Sequence, residues 1–280
     1  MWNSYIENFV ERALEEDLGD GDHTSLACIP PEAIGKAKLL VKEAGILAGI
    51  DVSEKIFRKL DDTVIFEKKI ADGAQIKPGD IAFYVSGKIL VLLQAERLVL
   101  NIMQRLSGIA TQTNRYVKKL EGLKTEILDT RKTTPGMRLL DKYAVKTGGG
   151  ENHRIGLFDM ILIKDNHIDF AGGIPQAVER IKEYLLKNHK QLKIEVEARS
   201  IADVETILSL DGVDRILLDN LSLKDTKTAV EIIKGRCETE SSGGITLENI
   251  RNYAECGVDY ISVGALTHQI QSLDMSLKAI

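Results

Sequence analysis

The spacing of hydrophobic residues changes along the chain, from mainly helical spacing in the first part to short apolar runs after residue 123. Residues 4–18 place apolar side chains on one side of a helix. Runs typical of strands follow at 36–48 and 63–70, and apolar residues at helical spacing predict a long helix from about 90 to 120. We therefore predict that the first part combines a leading helix, short strands and one long helix.

Near-continuous apolar runs alternate with amphipathic helices in the second part. The predicted strands cover 125–130, 160–166, 192–198, 214–220, 237–241 and 260–265. The predicted helices cover 136–147, 173–188, 200–210, 223–234 and 246–255. This alternation is typical of a parallel sheet covered by helices. Every strand ends in polar or glycine residues, which favours a barrel with one shared mouth over a doubly wound open sheet. Because there are six units rather than eight, we predict an incomplete α/β barrel.

These patterns divide the chain into three predicted segments. Residues 1–110 form an α+β domain, residues 111–270 form the six-stranded barrel, and residues 271–280 form a tail that packs on the N-terminal domain. A length of 280 residues suits one large domain or two modest ones. The predicted fold class is therefore α/β.

Composition and charge exclude several classes of protein. The chain has 37 Lys and Arg against 42 Asp and Glu, a net charge of −5, which argues against a general nucleic-acid or membrane-surface binder. No apolar run approaches the roughly 18–20 residues that span a bilayer. Cys28, Cys237 and Cys256 are too widely spaced for a metal pair, and their odd number does not suggest a disulfide framework. We expect a cytoplasmic protein.

Positive charge is concentrated in one segment of this acidic chain. From Arg131 to Arg154 there are six Lys and Arg and two acids, a local balance of +4. Lys142 and Lys146 have helical spacing and are expected to face solvent. Four cations instead lie at predicted strand ends or in the adjoining loop: Arg131, Lys132, Arg154 and Lys164. Arginine binds carboxylates and phosphates through a planar fork, and lysine acts as a point charge. These groups predict a polyanion site; the alternative is a solvated charged face.

Glycine-rich turns and carboxylates occupy the remaining strand ends. Ser242–Gly244 precede a predicted helix opened by Thr246, and residues 264–268 repeat that arrangement. Free N–H groups at such turns can bind phosphate, although two ordinary β-α turns would look the same. Glu197 and Asp219 end neighbouring strands, where oxygen ligands suit Mg²⁺ or ribose hydroxyls; the alternative is a salt bridge at the mouth.

Residues 129–167 carry a recognisable motif, DTRKTTPGMRLLDKYAVKTGGGENHRIGLFDMILIKDNH. It closely resembles the core of the quinolinate phosphoribosyltransferase family, and the likeness covers about 90–270. A related group, the molybdenum-transport-associated pyrophosphorylase-like proteins, shares TRKT but is expected to depart at NHR and LIKDNH, which are intact here. The resemblance implies conversion of quinolinate and phosphoribosyl pyrophosphate to nicotinate mononucleotide, pyrophosphate and CO₂, in NAD biosynthesis.

The resemblance also implies an N-terminal open sandwich, a Mg²⁺ cofactor and a head-to-tail homodimer. By motif, the quinolinate pocket contains Thr130, Arg131, His153, Arg154 and Lys164. The phosphoribosyl pyrophosphate contacts are Lys132, Ser242, Gly243, Gly244, Val263, Gly264, Ala265 and His268. Glu197 and Asp219 lie near the ribose and Mg²⁺, with Glu195 as the alternative to Glu197, and Arg97 reaches into the partner's site. Lys132, Lys164, Glu197 and Asp219 are the expected catalytic residues.

Two other functions are compatible with a basic barrel. Lys164 could form a Schiff base with a carbonyl substrate, as in barrel lyases. The barrel could also bind a phosphorylated metabolite without catalysis. Borohydride trapping at Lys164 separates the first from glycosyl transfer, and product formation separates the second.

Overall fold

The computed structural model describes residues 2–280. The first elements in chain order are α1 (Trp2–Leu18), α2 (His23–Cys28), β1 (Ile34–Val41), β2 (Gly45–Ile46), α3 (Ile50–Leu60), β3 (Ile65–Lys68), β4 (Gln75–Ile76), β5 (Ile81–Lys88) and α4 (Ile89–Lys119). They are followed by β6 (Glu126–Leu128), α5 (Arg138–Thr147), β7 (Ile161–Ile163), α6 (Asp165–Ala171), α7 (Ile174–Lys187), β8 (Ile194–Ala198), α8 (Ile201–Leu208), β9 (Arg215–Asp219), α9 (Leu223–Ile233), β10 (Glu238–Ser242), α10 (Ile250–Glu255), β11 (Tyr260–Ser262), α11 (Ala265–His268) and β12 (Met275–Ala279).

The chain folds into two compact units that are not continuous in sequence. The first contains residues 2–114, 134–149 and 269–280, and the second contains residues 115–133 and 150–268. The sequence placed 111–270 in one barrel domain, but α5 belongs to the first unit, as does β12 of the predicted 271–280 tail. The physical reason for α5 is its buried Asp141, which accepts hydrogen bonds of 3.0 and 2.9 Å from Arg105 on α4.

An antiparallel sheet forms the framework of the first unit. Its strand order is β12-β1-β5-β3, and β2 pairs separately with β4. Side chains of β1 alternate, so that Leu39 and Val41 are buried while their neighbours are less so. The C-terminal residues form β12, in which Leu277 lies opposite Leu39. The unit is therefore an α+β arrangement built on one four-stranded sheet.

Lys142 on α5 does not face solvent as its helical spacing predicted. Its relative exposure is 1%, and α5 also buries Leu140, Ala144 and Val145. Helical spacing predicts one buried face and one polar face, so it cannot predict the burial of Lys142. A helix packed on more than one side also buries positions that would otherwise form its polar face.

Six parallel strands form the framework of the second unit, in the order β7-β8-β9-β10-β11-β6. From β7 to β11 each strand pairs with the next in the chain, and β11 returns to pair with β6. Within residues 2–280, β6 and β7 do not pair, so the sheet stays open at that edge. At this edge Glu151 forms an isolated parallel bridge with Leu128 of β6, in which the Glu151 N–H donates to the Ile127 carbonyl at 2.7 Å. The predicted six-stranded, incomplete α/β barrel is confirmed.

Strand β8 shows how this unit places charged groups inside the barrel. All five residues of β8 are buried. Ile194, Val196 and Ala198 lie on one face, and Glu195 and Glu197 lie on the other, because side chains alternate along a strand. A strand covered on both faces thus directs two carboxylates inward, one deeper than the other.

The structure also differs from the prediction in its details. A short helix, α6, follows β7 where none was predicted. Helix α10 begins at Ile250 rather than at Thr246. Among residues 2–280, the structure has no helix whose length and hydropathy would let it cross a membrane.

Candidate active site

The carboxyl ends of the six parallel strands bring the predicted site residues of the second unit to one edge. Asp219 at the end of β9 lies opposite Ser242 at the end of β10 in the sheet register. Ser262 pairs with Leu128, so Val263–Ala265 and Asp129–Lys132 leave the sheet together. In parallel barrels this edge carries the catalytic residues. The structure therefore assembles one site from segments that lie more than 130 residues apart.

Two arginines form the basic side of the site. Arg154 is half-buried and donates from Nη1 to the Met160 carbonyl at 3.2 Å. Burial lowers the pKa of the Arg154 guanidinium, the nearby charge of Arg131 lowers it further, and Glu195 and Asp159 oppose both effects. Two neighbouring cations repel each other unless an anion lies between or beside them. This pair therefore has the electrostatics of an anion site.

Lys132 lies against the turn that follows β11. The Thr267 hydroxyl donates to the Lys132 carbonyl at 2.9 Å, and the Lys132 N–H donates to Thr130 Oγ1 at 3.0 Å. A Cβ built on Gly264 would lie 2.9 Å from Lys132 Cδ and 3.1 Å from His268 Nε2. A Cβ at this position would therefore displace the Lys132 side chain or the His268 ring, whereas the backbone angles of Gly264 do not demand glycine. Three residues predicted for phosphate binding lie together here, and Thr267, which spacing did not indicate, holds the lysine backbone.

Asn220 joins the acidic side of the site to the glycine turn after β10. Its N–H donates to the Ser242 carbonyl at 2.9 Å, and its side-chain amide donates to Asp219 Oδ2 at 2.6 Å. Gly243 has φ +90°, and a Cβ on it would lie 2.2 Å from Asn220 Oδ1. Because α10 begins only at Ile250, the Ser242–Gly244 turn is followed by further turns and not by the predicted helix N-terminus. The predicted phosphate contacts of Ser242–Gly244 would therefore come from the turn itself.

Glu197 and Asp219 form the acidic side. Glu197 is 4% exposed; its Oε1 accepts from the Asp165 N–H at 3.3 Å, and its Oε2 lies 3.9 Å from Lys164 Nζ. Burial raises the pKa of Glu197, and the charge of Asp219 raises it further. Two adjacent carboxylates with one cation nearby have the donor chemistry of a Mg²⁺ or ribose site.

A buried polar cluster lies deeper in the barrel and consists of His153, Glu195, Glu240 and Arg215. His153 Nε2 lies 3.0 Å from Glu195 Oε2 and 3.4 Å from Glu240 Oε2. Arg215 Nη1 donates to Glu240 Oε2 at 2.8 Å. Burial and then the charge of Glu240 raise the pKa of Glu195. Glu195 thus lies behind Glu197, in a different environment.

Glu240 and Arg215 were not among the residues predicted from the sequence. The one available signal was a charged residue within each of two strands that are otherwise typical of a barrel interior. These residues are Arg215 on β9 and Glu240 on β10, and both are buried. Charged residues are almost never fully buried unless they are paired. Such a position in a predicted interior strand could therefore have indicated a partner in the barrel.

Arg97 belongs to the first unit, whereas the other predicted site residues belong to the second. It is an exposed residue of α4 in the first unit. Its predicted contribution to a partner's site stays a prediction.

A parallel α/β barrel with paired arginines, paired carboxylates and tight glycine turns at its strand ends defines a class of enzymes acting on anionic, phosphorylated substrates. The family model of the quinolinate phosphoribosyl transferase C-terminal domain matches residues 109–278, and that of the N-terminal domain matches residues 22–107. The chain belongs to the quinolinate phosphoribosyl transferase family.

Individual relatives agree with the family match over nearly the whole chain. A quinolinate phosphoribosyltransferase (decarboxylating) 1b of Nicotiana tabacum is 44% identical over 288 residues, covering 98% of this chain and 82% of the relative. A probable nicotinate-nucleotide pyrophosphorylase (carboxylating) of Bacillus subtilis (strain 168) is 41% identical over 274 residues, covering 97% and 92%. The crystal structure of NadC from Streptococcus pyogenes matches with a TM-score of 0.92 at 38% identity, covering 98% and 97%.

Proposed function

We propose that the protein transfers the phosphoribosyl group of phosphoribosyl pyrophosphate to quinolinate, forming nicotinate mononucleotide, pyrophosphate and CO₂ for NAD biosynthesis. The observation that carries this proposal is the adjacent pair Arg131 and Arg154 at the same barrel edge as Glu197 and Asp219. One side suits a dianionic acceptor, and the other suits a reaction in which a ribose becomes positively charged. The names of the relatives support the same activity.

Quinolinate binding uses the basic side of the site. Arg131 and Arg154 bind its two carboxylates through charge-assisted, forked hydrogen bonds. The other members of the pocket are Thr130, His153 and Lys164. Holding both carboxylates orients the pyridine nitrogen toward the anomeric carbon of the ribose, and such orientation lowers the barrier of a two-substrate reaction.

Phosphoribosyl pyrophosphate binding uses the glycine turns and the acidic side. The phosphate contacts are Lys132, Ser242, Gly243, Gly244, Val263, Gly264, Ala265 and His268. As the bond to pyrophosphate breaks, the ribose becomes oxocarbenium-like, and Glu197 and Asp219 stabilise its positive charge. Lys132 and Lys164 stabilise the departing negative charge. No covalent nucleophile is required.

The donor set at Glu197 and Asp219 fits Mg²⁺, because both residues offer oxygen ligands, directly or through water. Burial and mutual repulsion, which raise the pKa of Glu197, also favour a nearby cation. When bound, Mg²⁺ would neutralise negative charge on pyrophosphate. We propose Mg²⁺ as the cofactor on this chemistry.

Loss of CO₂ follows from the product of glycosyl transfer. Once the ring nitrogen carries the ribose, it is a pyridinium. The bond from carbon 2 to its carboxylate breaks, CO₂ leaves, and the electron pair stays at carbon 2, which then takes a proton. The positive ring nitrogen stabilises that electron pair, so this step requires no residue to supply electrons.

A Schiff base at Lys164 is disfavoured by the environment of this side chain. Lysines that form Schiff bases are activated in hydrophobic pockets or beside another cation. The Lys164 side chain is 50% exposed and lies 3.9 Å from a carboxylate. A stable mass increase at Lys164 after borohydride treatment with a carbonyl substrate would contradict glycosyl transfer.

The direct test is a product assay. We expect the purified protein, with phosphoribosyl pyrophosphate and Mg²⁺, to form nicotinate mononucleotide from quinolinate and not from nicotinic acid, because nicotinic acid lacks the second carboxylate. Chromatography of the nucleotide and trapping of labelled CO₂ measure the reaction. Product formed only from nicotinic acid would exclude the proposed activity.

We also propose a homodimer in which Arg97 completes the partner's site. Arg97→Ala and Lys132→Ala should each be inactive alone, and mixing them should restore activity if subunits exchange. Half of the randomly formed dimers are then mixed, and one of their two sites carries neither substitution, so about a quarter of the sites recover. The measurement is activity after mixing, with exchange verified by mass-tagged subunits. No recovery despite exchange would refute the shared site.

We further propose a cytoplasmic location. The support is that Cys28, Cys237 and Cys256 are all free thiols. Disulfides are rare where thiols are kept reduced. Microscopy of the tagged protein tests this location.

A further inference from the structure

We propose that Glu195 is a positioning residue: through His153, it holds Arg154 beside Arg131 in the quinolinate pocket. This inference rests on the proposed function, because it assigns Arg154 to the carboxylates of quinolinate. It concerns a buried carboxylate that the mechanism above does not use.

Three polar contacts fix the segment that carries Arg154. His153 Nε2 lies 3.0 Å from Glu195 Oε2. The Arg154 N–H donates to His153 Nδ1 at 2.7 Å, and the His153 N–H donates to Asp129 Oδ1 at 2.9 Å. The imidazole therefore lies between the carboxylate of β8 and the backbone of Arg154. Any rotation of the ring changes both contacts together.

This arrangement selects one tautomer of His153. Because Nδ1 accepts from the Arg154 N–H, it carries no proton, and the ring proton is on Nε2, beside Glu195 and Glu240. Burial lowers the pKa of His153, but the contacts with these two carboxylates raise it to about 9 and so favour a second ring proton. The geometry opposes that second proton, because a proton on Nδ1 would point at the Arg154 N–H. A carboxylate that holds a histidine in one tautomer and orientation is a known device for positioning an imidazole. Here Nδ1, the ring nitrogen on the side away from Glu195, accepts from the backbone N–H of Arg154, which we assign to quinolinate binding.

Repulsion between Arg131 and Arg154 explains why the Arg154 segment must be held in place. Arg154 is pushed away by the like charge of Arg131, so a flexible loop would let the two guanidinium groups separate when no anion is bound. Glu195 has 0% exposure, whereas the Arg154 segment is partly exposed. A rigid strand in the barrel interior thereby orders a loop at its mouth.

Charged groups from the other strands also face the ring. Glu240 on β10 lies 3.4 Å from His153 Nε2, and Arg215 on β9 pairs with Glu240. Ser262 on β11 also hydrogen-bonds to Glu240. Glu240 is therefore engaged by Arg215 and Ser262, whereas neither oxygen of Glu195 has a well-formed hydrogen bond besides its close approach to the imidazole. Glu195 is accordingly the carboxylate most available to His153.

The test uses Glu195→Met, which removes the acceptor and keeps an apolar side chain of similar length. We expect its KM for quinolinate to rise about 10²-fold, the size of effect that a small misplacement of a binding group produces, while its KM for phosphoribosyl pyrophosphate changes less than about threefold. Glu195→Gln keeps an acceptor and should recover most of the affinity. Glu238→Gln is the matched control, because Glu238 begins β10 and pairs with Arg215 at 3.0 Å and with the Tyr260 hydroxyl at 3.4 Å.

Nitrogen NMR of labelled histidine gives a readout that a merely structural role would not move. The wild type should show His153 protonated at Nε2 and unprotonated at Nδ1, and Glu195→Met should show a mixture. An unchanged KM for quinolinate in folded Glu195→Met, or equal losses for both substrates, would overturn the proposal. So would a transition metal that stays bound at His153, Glu195 and Glu240 after dialysis against a chelator. Failure of the proposed function would instead appear as no product from the wild type, with the NMR signature still testable.

Discussion

Replacing Arg154 with alanine is expected to lower kcat/KM for quinolinate by about 10²- to 10³-fold. Truncating one partner of a buried, hydrogen-bonded charge pair costs roughly 2–5 kcal/mol, and each 1.4 kcal/mol is tenfold in affinity or rate. Arg154 is half-buried, so a substrate carboxylate deprived of it would lose a partner that water replaces poorly. Steady-state kinetics with each substrate varied in turn measure the effect. KM for phosphoribosyl pyrophosphate should change little.

A stability measurement separates this effect from misfolding. The neighbouring charge of Arg131 opposes the charge of Arg154 in the free protein. Removing Arg154 should therefore change the unfolding temperature of the free protein by no more than about 4 °C. Arg180→Ala, an exposed arginine of α7, is the control and should keep full activity. If Arg154→Ala keeps its affinity for quinolinate, the guanidinium does not bind the substrate.

Replacing Glu197 with glutamine is expected to lower kcat by about 10²- to 10³-fold, the range found when one group that stabilises transition-state charge is removed. Glutamine has nearly the same shape and can still accept from the Asp165 N–H, which lies 3.3 Å from Glu197 Oε1. Only the negative charge is lost. Because that charge matters most when the ribose is cationic, binding of quinolinate should be nearly unchanged. Single-turnover kinetics measure the chemical step.

The companion variants distinguish Glu197 from other carboxylates. Asp219→Asn should have an effect of the same order, since Asp219 and Glu197 act on the same charge. Glu205→Gln, at an exposed position of α8, should behave as the wild type. A loss in Glu197→Gln confined to KM for quinolinate would contradict a role at the ribose.

The sequence predicted those parts of the site that depend on the ends of parallel strands. Arg131, Lys164, Glu197 and Asp219 each follow or end an apolar run, and the topology of a parallel barrel brings such positions to one edge. The choice of Glu197 over Glu195 stays a prediction; Glu197 lies nearer the edge of the sheet and beside Lys164. Strand alternation alone placed both on the same face and could not separate them.

Side-chain partners between distant strands could not be predicted in this way. Glu240 and Arg215 meet inside the barrel, and Asn220 meets Gly243, because of the sheet register and the close packing of the turns. The start of α10 was also misplaced. Thr246 resembles a helix N-cap, but its N–H donates to Asn249 Oδ1 at 2.8 Å, which stabilises a turn before the helix.

The sequence by itself determined the class of fold, the residues with suitable chemistry and the family. Local hydrophobic spacing determines the order of strands and helices along the chain. The parallel arrangement of those strands then determines which strand ends, and which residues on them, share an edge of the sheet. Only the tertiary structure decided the depth of each charge, the tautomer of His153 and the burial of Lys142. Those properties depend on contacts between segments far apart in the chain, and burial, which sets the cost of an unpaired charge, does not exist until these segments pack.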